Sequence, residues 1–114
     1  PLTVVKRSGD REPFDRAKVI AGLEAATKAR PVEHAQLDDL ALAVEESARL
    51  EGSEISTEAV GRAVLDRLRD LDVVAAVRFA SVYKEFDDLA DFERELTELT
   101  RSTPLTKATE PKRH

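Results

Sequence analysis

Val60, Val64, Leu68 and Leu71 return at intervals of four, four and three, which places all four on one side of an α-helix of about 3.6 residues per turn. A strand cannot use this spacing, because its side chains alternate with period two. Ser56 or Thr57 stands ahead of the run, where a hydroxyl can accept from the first unpaired amides. The same grammar recurs along the chain. Asp15 precedes a helix expected to reach about Ala29, with Val19, Leu23 and Ala26 on its core face and Pro31 barring extension. A second helix is expected over 33–50 from Leu37, Leu40 or Ala41, Val44 and Ala48, with Gly52 as its C-cap. Asp72 opens a helix in which Val74, Val77, Phe79, Val82, Tyr83 and Phe86 cover more than one stripe, as a central helix does. Leu89, Phe92, Leu96 and Leu99 mark the last helix.

The front of the chain reads differently. In "VVKRSGDREPF", Val4-Val5 and Pro13-Phe14 flank the Gly-centred turn Ser8-Gly9-Asp10-Arg11, which predicts paired strands over 3–7 and 11–14. The fold class is therefore mainly α: a small N-terminal β-hairpin on four or five helices. At 114 residues the chain has room for one domain, placed at 1–99. The closing "TRSTPLTKATEPKRH", residues 100–114, has the polar, Pro- and Thr-containing composition of a disordered tail.

Several kinds of chemistry have no seat in this sequence. Without cysteine there is no disulfide framework, thiolate metal site or cysteine nucleophile. His34 and His114 have no triad or metal-ligand partner at readable spacing. Neither a GxxxxGK[ST] loop nor a GxGxxG after a strand is present. The acid pairs Asp38-Asp39, Glu45-Glu46 and Asp87-Asp88 are sequence neighbours that do not share a helix face, so solvated surface accounts for them. The chain is expected not to be an enzyme. No apolar run approaches the roughly 20 residues of a membrane span, and a cytoplasmic location is the default expectation. A start at Pro1 without any methionine reads as a fragment or a processed product.

Charge is what singles out the hairpin. The net charge is −5, yet residues 1–30 carry seven bases against four acids, a local +3, while the remainder carries 11 against 19, or −8. An acidic domain with one basic end suits a small polyanion better than a long nucleic acid. Lys6 and Arg7 end the first strand, Glu12 begins the second, and Lys18 falls in the first turn of the next helix, where free amides and a partial positive charge favour a phosphate. Exposed charge that guards an edge strand against aggregation explains the same residues equally well. Adjacent strand residues also point to opposite faces, so Lys6 and Arg7 can share a ligand only if the strand twists or ends there.

Taken together, "VVKRSGDREPFDRAKV" closely resembles the opening motif of the ATP-cone, a regulatory nucleotide-binding domain of ribonucleotide reductase large subunits, anaerobic reductases and the ribonucleotide reductase repressor family (NrdR). The likeness runs from about residue 2 to residue 99, and "LRDLDVVAAVRFASVYKEFDDLADF" is similar specifically to the repressor branch. The resemblance implies a hairpin lid on a helical bundle that binds ATP or dATP without turning it over. By position, it implies Val4 along the nucleotide and Lys6, Arg7 and Lys18 on phosphates. Glu12 would hold base or ribose, Phe14 would form an apolar wall, and Thr57 would line the pocket. Gly61 stands where several reductase cones carry a histidine. Tyr83 is either a pocket residue of the repressor branch or a core aromatic. The repressors are also alike in an N-terminal zinc ribbon that reads DNA; with no cysteine here, zinc and DNA contact are expected only of a parent protein. Nucleotide-dependent homo-oligomerisation is the implied output. The alternatives are the allosteric front end of a reductase large subunit and a helical interaction module with no nucleotide role.

Overall fold

A computed structural model describes residues 1–83 and 88–102. Along the chain come β1 (Thr3–Val5), β2 (Arg11–Pro13), α1 (Arg16–Ala26), α2 (His34–Glu51), β3 (Glu54–Ser56), α3 (Thr57–Leu71), α4 (Val73–Val82) and α5 (Leu89–Ser102). The hairpin forms as expected, antiparallel with Val4 opposite Glu12, but its strands are shorter than the sequence suggests. β1 stops at Val5 because the chain turns at once: the Lys6 amide donates to the Asp10 carbonyl at 2.8 Å and the Gly9 amide to the Lys6 carbonyl at 2.9 Å. Gly9 makes this possible at φ +95°, a conformation that costs a residue with a Cβ far more.

A third strand went unread in the sequence. β3 pairs in parallel with β1, Val4 against Ile55, giving the order β2-β1-β3. Three residues are too few to show an alternation, and the partner strand lies some fifty positions upstream. Val4, in the central strand, is fully buried.

The caps follow the sequence closely. Asp15 Oδ1 accepts from the Ala17 amide at 3.0 Å, Ser56 Oγ from Ala59 at 3.0 Å, and Asp72 Oδ1 from Ala75 at 2.9 Å. Gly52 is the C-cap of α2. α1, however, ends at Ala26 and not near Ala29. Thr27 closes it, its hydroxyl donating to the Leu23 carbonyl at 2.8 Å, and Ala29 then takes the left-handed conformation, φ 64°. Pro31 is therefore not the stop. α5 in turn runs three residues into the expected tail, with the Thr100 hydroxyl donating to Leu96 O at 2.9 Å; positions 103–114 lie outside the described residues.

Val19, Leu23, Leu37, Val44, Val60, Val64, Leu68, Phe79, Phe92 and Leu96 fill the core. α1 lies so close to α5 that a Cβ on Gly22 would come within 2.8 Å of the Phe92 ring. Phe92 meets Phe79 edge-on, centroids 4.9 Å apart and planes at 80°, a favoured aromatic geometry. α4 is less central than its pattern implies. Phe79 and Val82 are buried, but Val77 is 61% exposed and Val73 66%; Phe86 lies outside the described residues. The buried cation of α4, Arg78, donates to the carbonyls of Ala26 at 2.8 Å and Lys28 at 2.9 Å. Burial, then the neighbouring Arg30 charge, lowers its pKa. Glu45 corrects another expectation. It is buried rather than solvated, bonded to Arg49 at 2.8 Å and facing Arg16 Nε at 3.0 Å, an ion pair not aligned as a hydrogen bond.

Candidate functional site

The end of β1 removes the geometric objection to Lys6 and Arg7. Both lie beyond the pleat, in the turn, so strand alternation does not force them apart. They nevertheless reach different acids: Lys6 Nζ is 3.5 Å from Asp88 Oδ2, just ahead of α5, and Arg7 Nη2 is 3.3 Å from Glu58 Oε2 in the first turn of α3. Lys18 sits in the first turn of α1, which Asp15 caps, with its ammonium 3.6 Å from Glu12 Oε1.

Glu12 stands opposite Val4 in the hairpin, and directly opposed residues of an antiparallel pair share one face of the sheet. Its carboxylate is accordingly only 17% exposed, and its second oxygen, Oε2, is buried with no hydrogen-bond partner among the described residues. A buried carboxylate oxygen without a donor costs on the order of 1–3 kcal/mol or more. That oxygen calls for an N–H or O–H from outside the described chain.

Thr57 is buried at the start of α3, its hydroxyl donating to the Val5 carbonyl at 3.4 Å, which ties the helix to the end of β1. Phe14 packs half-buried against the core and Val4 lies wholly inside it, between β2 and β3. Tyr83 packs against the core and also borders a cavity. Its ring lies 6.0 Å from Phe79, and its hydroxyl donates to the Glu58 carbonyl at 2.9 Å. Arg7, Glu58, Arg62 and Tyr83 line a cavity of about 290 Å³; Lys6, Glu12, Phe14, Lys18 and Thr57 do not border it. Arg62 was missed by sequence reading, although its four-residue spacing from Glu58 places both on one face of α3. The Tyr83 hydroxyl, and after it the Tyr83 and Asp66 charges, raise the Arg62 pKa.

Two other features compete for attention. A larger cavity of about 540 Å³ lies between α1 and α5, lined by Lys28, Arg78 and Arg101 as well as alanines, threonines, Glu24 and Glu93, and holds none of the candidate site residues named from the sequence. His34, at the start of α2, is exposed, with Glu24 Oε2 2.9 Å and Asp38 Oδ1 3.5 Å from its ring nitrogens. No group of three or more potential metal ligands occurs among the described residues, and no described helix is long and apolar enough to cross a membrane.

Comparison with known proteins agrees with the fold. The ATP cone domain model matches residues 2–89. The transcriptional repressor NrdR of Rhodococcus erythropolis is 54% identical over 99 residues, 86% of this chain and 60% of that protein. The NrdR of Salinispora arenicola is 52% identical over 99 residues, 86% of this chain and 64% of its own length. That of Thermobifida fusca is 49% identical over 107 residues, 93% and 70% respectively. The chain thus spans 60% and 64% of the first two relatives. These relatives are named as repressors and not as enzymes. With a cone matched over most of its length and about half its residues identical to theirs, the chain belongs to the ATP-cone family, in the group of the NrdR transcriptional repressors.

Proposed function

We propose that these residues form the nucleotide sensor of a transcriptional repressor of ribonucleotide reductase genes, binding ATP or dATP at the hairpin end and changing its assembly with the nucleotide bound. The observation that carries the reading is the buried Glu12 oxygen that has no donor among the described residues, beside Lys18 at the front of α1. A ribose hydroxyl or an adenine amine supplies such a donor. Lys6, Arg7 and Lys18 then serve the phosphates, Arg7 able to fork two oxygens and the lysines acting as point charges. Thr57, Phe14, Tyr83 and the Val4 backbone frame the nucleoside. The cavity between α1 and α5 has cations of its own, Lys28, Arg78 and Arg101, but none of the residues that the family resemblance puts on the nucleotide, so it is not assigned to it.

The output follows from linkage. A nucleotide shifts an assembly equilibrium only by as much as it binds one assembly better than another. ATP and dATP therefore act in opposite senses only if they differ in that preference. Contact with DNA, and a zinc ribbon to make it, belong on this reading to the parent protein and not to these residues.

Calorimetric titration with ATP and dATP, joined to light scattering, tests the proposal. Lys6→Ala and Lys18→Ala should each weaken binding about tenfold or more, since a hydrogen bond to a charged group contributes roughly 1.5–3 kcal/mol. Unchanged affinity in both variants would remove the phosphate site. An oligomer mass indifferent to both nucleotides would remove the switch.

A further inference from the structure

Each of the three cations assigned to phosphates already faces a carboxylate of its own chain, and the three acids come from three separate elements: Glu12 from β2, Glu58 from α3 and Asp88 from the residue before α5. Asp88 is the most informative of them. Its Oδ1 accepts from the Asp91 amide at 2.9 Å and so caps α5, a task an asparagine performs equally well. Its other oxygen, Oδ2, takes no part in the cap and lies 3.5 Å from Lys6 Nζ. Both side chains of that pair are only 27% exposed, whereas Glu58, against Arg7, is 64% exposed. Among the described residues, Lys6 is the cation that the acid at position 88, as distinct from the cap, faces.

We propose that Asp88 is a tethered competitor for the phosphate chain: it holds Lys6 until a nucleotide displaces its Oδ2, and so sets the nucleotide concentration at which the site fills. This rests on the nucleotide-binding reading above. Among the described residues each of these three cations already has a carboxylate against it, and a lone singly charged anion gains little that the tethered acids do not already supply. A polyphosphate engages several cations at once and releases the acids to water.

Asp88→Asn keeps the cap and deletes the competitor. In calorimetric titrations of the full chain, the variant should bind ATP about two- to fivefold more tightly than the native protein, and inorganic tripolyphosphate by a similar factor. The double variant Lys6→Ala/Asp88→Asn should show no such gain over Lys6→Ala, because the competitor acts only through Lys6. An Asp88→Asn affinity equal to or weaker than native, or a gain that survives in the Lys6→Ala background, overturns the competitor while leaving nucleotide binding intact. If neither the native protein nor Asp88→Asn binds ATP, dATP or tripolyphosphate, the nucleotide reading itself fails.

Discussion

Asp72 does more than its sequence signal announces. As the N-cap of α4 it was legible, since an acid ahead of an apolar helical run is a capping signal. Its pairing with Arg30, whose Nε lies 3.0 Å from both carboxylate oxygens, was not, because the two are 42 positions apart. Burial on its own would raise the Asp72 pKa; the Ala75 amide, the Arg30 hydrogen bond and charge, and the Val74 amide outweigh it and hold the carboxyl below its ordinary value. A depressed folded pKa contributes stability that is fully present above the unfolded value of about 3.9 and is lost as pH falls through the folded one. Asp72→Asn retains a capping oxygen and loses the ion pair. It should cost about 1–3 kcal/mol at pH 7, and the gap from the native protein should close as pH drops below about 4. Denaturant melts across pH 2–7 check this; a gap that stays constant over that range contradicts it.

At the scale of elements, legibility divides along a physical line. Asp15, Ser56 and Asp72 act within three residues of themselves, and each cap was readable because cause and effect are local. The stripes Val60-Val64-Leu68 and Leu89-Phe92-Leu96 are buried as their spacing requires. What stayed hidden is what depends on distant partners: β3 on β1, Glu45 between Arg16 and Arg49, Arg78 on the end of α1, and Arg62 beside Tyr83. The candidate site divides in the same way. Its residue types, Glu12 among them, were visible; the pairing of Lys6 with Asp88 and of Arg7 with Glu58 was not. Gly22 belongs with the hidden set, since nothing nearby in sequence says that α5 presses Phe92 against it. Gly22→Ala gains helix propensity worth up to about 1 kcal/mol but must displace an aromatic ring locked against Phe79. Overpacking of about 1–3 kcal/mol should prevail, giving a lower denaturation midpoint with an unchanged slope. A midpoint at or above the native one would show that α5 yields easily.

For the whole molecule, the site ties together segments from both ends of the described chain: the hairpin, the front of α3, Tyr83 after α4 and Asp88 before α5. A ligand bound there opposes separation of all of them, and stabilisation by mass action reaches about 2.7 kcal/mol at a hundred times Kd. For a domain of this size, that should raise Tm by about 10 °C or more. Differential scanning fluorimetry over an ATP series measures it, and a flat Tm up to millimolar nucleotide would contradict the proposed site.

The parallel pairing of β1 with β3 also fixes a chronology. A hairpin closes in about 1–10 μs, but residues 54–56, which complete the sheet, leave the ribosome some fifty positions after β1, several seconds later at about 5–20 residues per second. Until then Val4 and Val5 sit on an unguarded edge, and Val5 lacks the Thr57 hydroxyl that will bind its carbonyl. A nascent chain arrested before β3 therefore carries every basic residue of the hairpin without the strand that completes its sheet.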